Sequence, residues 1–209
     1  MNLVIIKYNA GNIQSVFYAL NRVGIEAVVT DDKETIAAAD KVIFPGVGEA
    51  STAMNYLKER QLDIFIKELK QPVLGICLGM QLMCSYSEEN NTDCLGIFDE
   101  KVKKFTNNLV TSVYALNEEE SGQRFKVPQM GWNNIYNLKS LLFKGVEEDS
   151  YSYFVHSYYA SIGEDTIATT DYILPYSSAL YKDNFYGVQF HPEKSAAVGE
   201  TILKNFIEL

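Results

Sequence analysis

Apolar residues in the first third of the chain come in short unbroken blocks, separated by longer stretches in which they recur every three or four positions. Leu3-Val4-Ile5-Ile6, Lys41-Val42-Ile43-Phe44 and Pro72-Val73-Leu74-Gly75-Ile76 are the blocks. Such runs, without apolar and polar alternation, suit strands buried on both faces, as in a parallel sheet under two helical layers. Between them Val16, Leu20 and Val23 sit at helical spacing, Glu26 to Thr30 reads as a further strand and Glu34 to Ala39 as a short helix. Helical patterns fill Ala50 to Leu69, including the apolar set Met54, Leu57, Leu62, Phe65, Ile66 and Leu69. Strands alternating with helices predict an α/β fold with an open mixed, mostly parallel sheet and flanking helices.

Past Cys77 the residues Leu78, Leu82 and Met83 predict a helix ending near Tyr86, and Ser87 to Asp93 reads as a polar loop. The second half is strand-rich and reads as mostly antiparallel. Its candidate strands are Lys101 to Phe105, Val110 to Leu116, Trp132 to Tyr136, Tyr151 to Val155, Ile167 to Thr170, Ser178 to Tyr181 and Tyr186 to Phe190. From Ser195 a last helix places Val198, Ile202, Phe206 and Leu209 on one face.

Composition narrows the possibilities. With 209 residues the chain supports one sizeable core, so a single domain over residues 1–209 is expected. A net charge of −9 without a basic run argues against nucleic acid or an anionic membrane as partner. The three cysteines, at 77, 84 and 94, make neither a disulfide framework nor a zinc-finger spacing, which suits a reducing, cytoplasmic setting. The block at Leu3 is interrupted by Lys7, Asn9 and Asn12, too soon for a signal-peptide core, and nothing approaches a membrane span. The turn Tyr8-Asn9-Ala10-Gly11-Asn12 lacks the glycine spacing of a dinucleotide loop, and neither cofactor nor metal is expected.

The candidate chemistry lies in Gly75-Ile76-Cys77-Leu78-Gly79-Met80-Gln81. Glycines two residues either side of the thiol give G-x-C-x-G, the thiol form of a nucleophile elbow, in which a strained strand-to-helix turn exposes one side chain. A cysteine in an apolar stretch also serves as a small buried hydrophobe, so the elbow needs a base. Only His156 and His191 exist, and His191 opens His191-Pro192-Glu193 just past a predicted strand, putting an imidazole and a carboxylate within two residues. Glu193 there would fix the ring tautomer, the third role of a triad. The turn Pro45-Gly46-Val47-Gly48 also follows a strand. It reads equally well as an ordinary connection or as a source of backbone N–H donors for an oxyanion.

With its late His191-Pro192-Glu193, the cysteine motif resembles the class I (triad) glutamine amidotransferases, over essentially the whole chain. Within that family, Tyr8-Asn9-Ala10-Gly11-Asn12, Pro45-Gly46-Val47-Gly48-Glu49, Val127-Pro128-Gln129-Met130-Gly131-Trp132-Asn133, Phe154-Val155-His156-Ser157-Tyr158 and His191-Pro192-Glu193-Lys194-Ser195 are together similar to the glutaminase subunits of imidazole glycerol phosphate synthases. Gln129 departs from the pattern, which more often has His there. The resemblance implies that Cys77 attacks the side-chain amide of glutamine, with His191 and Glu193 completing the triad, and that ammonia passes to a cyclase subunit with a (β/α)8 barrel. It further implies an oxyanion hole from Val47, Gly48 and Leu78, substrate contacts from Gly48, Gln81, Ser157 and Tyr158, and a partner interface including Trp132, Asn133 and Lys194. His156 becomes a pocket or structural residue. The alternative within the family is a glutaminase serving another synthase, such as one adding nitrogen to a surface sugar.

Overall fold

The computed structural model describes residues 1–9, 13–106 and 125–209. The expected strand at Val110 to Leu116 and the end of the Tyr8 to Asn12 turn lie outside them. Five helices and five strands alternate or nearly so through the first part: β1 Leu3–Ile6, α1 Ile13–Arg22, β2 Ala27–Thr30, α2 Lys33–Ala37, β3 Lys41–Phe44, α3 Ala50–Glu59, α4 Leu62–Lys67, β4 Val73–Ile76, α5 Leu78–Met83 and β5 Tyr86–Ser87. Then come β6 Thr92–Asp93, β7 Lys101–Lys104, β8 Gln129–Ile135, β9 Ser150–His156, β10 Tyr158–Ala160, β11 Thr166–Asp171, β12 Pro175–Lys182, β13 Phe185–Val188 and α6 Ala196–Glu208.

The main sheet runs β2-β1-β3-β4-β13-β12-β10-β7-β5-β6, with β11 paired to β12, while β8 and β9 form a separate antiparallel ribbon. From β2 to β13 neighbouring strands are parallel; from β13 through β12 and β10 to β7 they are antiparallel. The apolar blocks are explained by two helical layers. Val4 and Ile6 face the layer of α2 to α5, while Leu3 and Ile5 face that of α1 and α6, so both parities of β1 are buried.

One expectation is refined and two are corrected. Ala50 to Leu69 is two helices, broken at Gln61, whose left-handed φ of 55° stops α3 before α4 begins. The helix after Cys77 ends at Met83, and Tyr86 to Asp93 folds into β5, a single 3-10 turn and β6 rather than an open loop. In α6 the buried face is Gly199, Ile202, Leu203 and Phe206, with Val198 at its margin and Leu209 exposed beyond the helix. No described helix is long and apolar enough to cross a membrane.

Candidate active site

Cys77 is the hinge between β4 and α5, and its φ of 53° with ψ of −109° lies where residues with a side chain are strained. The flanking glycines are needed for close approach. A Cβ on Gly75 would run into the backbone of Met80, and one on Gly79 into the Phe44 carbonyl at the end of β3. The elbow is tied down by the Cys77 N–H, which donates to the Val188 carbonyl at 2.8 Å.

The base arrives through sheet topology. β13 lies parallel to β4 with Val188 opposite Ile76, so both chains leave the sheet at the same edge. His191 is held there by its N–H on the Tyr153 carbonyl at 2.9 Å and by Ser195 Oγ on its own carbonyl at 2.7 Å. Its Nδ1 is 2.8 Å from Glu193 Oε1, with the two side chains 4% and 1% exposed. A carboxylate accepts only, so Nδ1 carries the proton and Nε2 is left for the thiol. Burial pulls the His191 pKa down, but hydrogen bonds and charge from Cys77 and Glu193 outweigh it and raise the value to about 10. The pair therefore favours an imidazolium. The second Glu193 oxygen, Oε2, has no hydrogen-bond partner among the described residues.

A cleft of about 330 Å³ opens over the sulfur. Val47, Gly48, Leu78, Gln81, Ser157, Tyr158 and Lys194 all line it with Cys77 and His191, as do Glu89 and His156. The Leu78 N–H, an expected oxyanion donor, points to the Gly46 carbonyl at 3.3 Å, so an oxyanion must compete with that weak bond. Tyr8 Oη anchors the same turn by donating to the Pro45 carbonyl at 2.6 Å. His156 is not a rival base. Its Nδ1 is 2.7 Å from the Tyr158 carbonyl, and burial, with the His191 charge adding to it, lowers its pKa to about 4. Gln129 is buried and accepts from Tyr176 Oη at 3.0 Å, beside His156 Nε2, which gives the unusual residue a structural role.

Trp132, 51% exposed, meets the Tyr153 ring edge-on, and Lys194 Nζ lies 5.8 Å from the same ring's centroid. These two expected interface residues form one surface strip beside the cleft. Asn133 lies on the alternate face of β8, its amide on the Asp171 carbonyl at 2.8 Å. Sequence reasoning missed Glu89, Tyr8 and Gln189, whose Nε2 lies 3.6 Å from Cys77 Sγ. Of these three, Gln189, two residues before His191, carries a local hint.

An elbow thiol facing a histidine whose far nitrogen is held by a carboxylate is the constellation of a triad hydrolase working through a thioester. The family model for glutamine amidotransferase class-I matches residues 4–209, and the chain belongs to that family. It is 63% identical over 209 residues to imidazole glycerol phosphate synthase subunit HisH of Bacteroides fragilis, covering all of both chains. To the subunit of the same name from Escherichia coli it is 46% identical over 211 residues, again covering all of both. A crystal structure of a glutamine amidotransferase, 18% identical, matches with a TM-score of 0.71 over 100% of this chain and 98% of that one, and shares the fold.

Proposed function

We propose that this chain, acting as one amidotransferase domain over residues 1–209 in the cytoplasm, is the glutaminase subunit of an imidazole glycerol phosphate synthase in histidine biosynthesis. The observation that carries the reading is the full-length 63% identity to a HisH subunit, and the His191–Glu193 contact supports it. No relative named above favours the surface-sugar alternative.

In the reaction, the Cys77 sulfur attacks the δ-carbon of glutamine, forming a C–S bond, and the carbonyl oxygen becomes an oxyanion. The donors for that oxygen are the Leu78 N–H and one from the Val47-Gly48 turn, each worth about 3 kcal/mol in such sites. His191, protonated at Nε2 and steadied at Nδ1 by Glu193, delivers its proton to the departing nitrogen as the C–N bond breaks. A γ-glutamyl thioester and ammonia result. His191 then takes a proton from water, whose oxygen displaces the sulfur and releases glutamate. Gly48, Gln81, Ser157 and Tyr158 hold the substrate, and the Glu89 carboxylate in the same cleft complements its α-ammonium group.

Ammonia in neutral water is mostly protonated and no longer nucleophilic, so it needs a covered route to its acceptor. A cyclase subunit with a (β/α)8 barrel, docked as a heterodimer over the strip of Trp132 and Lys194, supplies that cover and makes imidazole glycerol phosphate and the aminoimidazole carboxamide ribotide AICAR. The test is the purified complex. Cys77→Ala should abolish glutamate release while added ammonium still supports cyclase turnover; glutaminase activity surviving the substitution would sink the proposal.

A further inference from the structure

We propose that Gln189 is a further catalytic residue, its carboxamide N–H donating to the Cys77 sulfur, and that the Tyr158 carbonyl, acting through Gln81, fixes that N–H toward the sulfur. The proposal deepens the glutaminase reading and rests on Cys77 being the nucleophile. Gln189 lies one residue past β13 and is fully buried. Its Nε2 is 3.6 Å from Cys77 Sγ, and its Oε1 accepts from Gln81 Nε2 at 2.8 Å. The same Gln81 Nε2 donates to the Tyr158 carbonyl at 2.9 Å.

A carboxamide has nearly the same outline either way round, so its orientation is decided by its partners. The chain of partners leaves one solution. A peptide carbonyl only accepts, so the end of Gln81 that meets Tyr158 is its NH2 group. That group also meets Gln189, whose near end is therefore oxygen. The far end, at the sulfur, is then an N–H. Turning Gln81 over sets its oxygen against the Tyr158 carbonyl; turning Gln189 over sets NH2 against NH2. Either reversal leaves polar groups opposed in a buried site, where an unmade hydrogen bond is costly.

A donor on the sulfur acts selectively, because hydrogen bonds to an anion are about twice as strong as those to a neutral acceptor. The Val155 carbonyl, 3.8 Å from Sγ, is an acceptor that suits the protonated thiol instead. Gln189 and His191 therefore present hydrogens to the sulfur, where Val155 presents only an acceptor. An apolar side chain at 189 would fill the same space without the desolvation cost of an amide. Packing alone does not call for glutamine there.

The test is the rate at which iodoacetamide alkylates Cys77 at pH 7 in the full chain, read on the Cys77 peptide by mass so that Cys84 and Cys94 do not contribute. Gln189→Glu, which puts an oxygen where the donor stood, is expected to slow alkylation more than about tenfold, and Gln189→Met about fivefold, both read well below the melting temperature, which the lost bond to Gln81 lowers. Gln81→Met keeps Gln189 but frees its amide to turn over, and is expected to slow it about twofold to threefold. Wild-type rates in a folded Gln189→Met chain overturn the proposal; a loss there with none in Gln81→Met overturns the locking through Tyr158. Should the Gln189 variants not fold, the Gln81→Met rate decides alone. Alkylation needs no glutamine, so a slowed rate in a chain that never releases glutamate upholds Gln189 while rejecting the glutaminase reading.

Discussion

The two histidines show how far surroundings separate identical side chains. His191 faces Cys77 and Glu193 and is pushed toward the charged form, whereas His156 is walled in by Phe105, Phe154 and Tyr176 and held neutral. Its depressed pKa links stability to pH. Folded His156 resists protonation down to about pH 4, while the unfolded chain takes up that proton near the ordinary 6.5. Stability from this group is thus full above 6.5 and is lost as pH falls from there through about 4. The loss amounts to about 3 kcal/mol. Urea unfolding at pH 7.5 and 4.5 should show His156→Gln losing less stability than the wild type by about that amount. Equal losses would mean that His156 becomes charged in the folded state.

At the scale of elements, the elbow depends on α5 lying almost in contact with the end of β3. Gly79 makes that approach possible, since a Cβ there would meet the Phe44 carbonyl, which is backbone and cannot swing aside. Gly79→Ala should therefore cost about 2–3 kcal/mol, or roughly 5–10 °C in melting temperature, as overpacking usually does. Differential scanning calorimetry checks it; an unchanged melting temperature would show that α5 can back away from β3. Apolar spacing predicted most elements but not where they stop. The break at Gln61 interrupts an apolar pattern that continues across it, because a left-handed residue leaves no trace in hydrophobic periodicity. The pairing of β5 with β7 and β6 was equally hidden in a polar stretch, since two-residue strands near a sheet edge show no apolar alternation.

At the scale of the molecule, the strip of Trp132, Tyr153 and Lys194 lies beside the cleft mouth, with Met130 and Tyr151 also exposed on the β8 and β9 ribbon. Exposed aromatic and methionine side chains of this kind commonly anchor an interface. If the cyclase subunit docks here, Trp132→Ala should weaken the complex about tenfold or more while leaving the chain's own melting temperature unchanged. Isothermal titration with the purified barrel subunit measures this, and an unaltered affinity would move the interface elsewhere.

The sequence by itself determined the α/β class, the elbow around Cys77 and the proximity of His191 to Glu193, because apolar blocks, glycine spacing and a two-residue separation are local properties. Local pattern alone did not bring Cys77 and His191 together across more than a hundred residues; the family resemblance implied that they meet, without a physical reason for it. That was decided by β13 entering the sheet parallel to β4, a pairing fixed by backbone hydrogen bonds and two buried faces rather than by any motif. The same pairing put Gln189 against the sulfur and left Gln81 to orient it. Those contacts join residues distant in the chain, and only packing in three dimensions creates them.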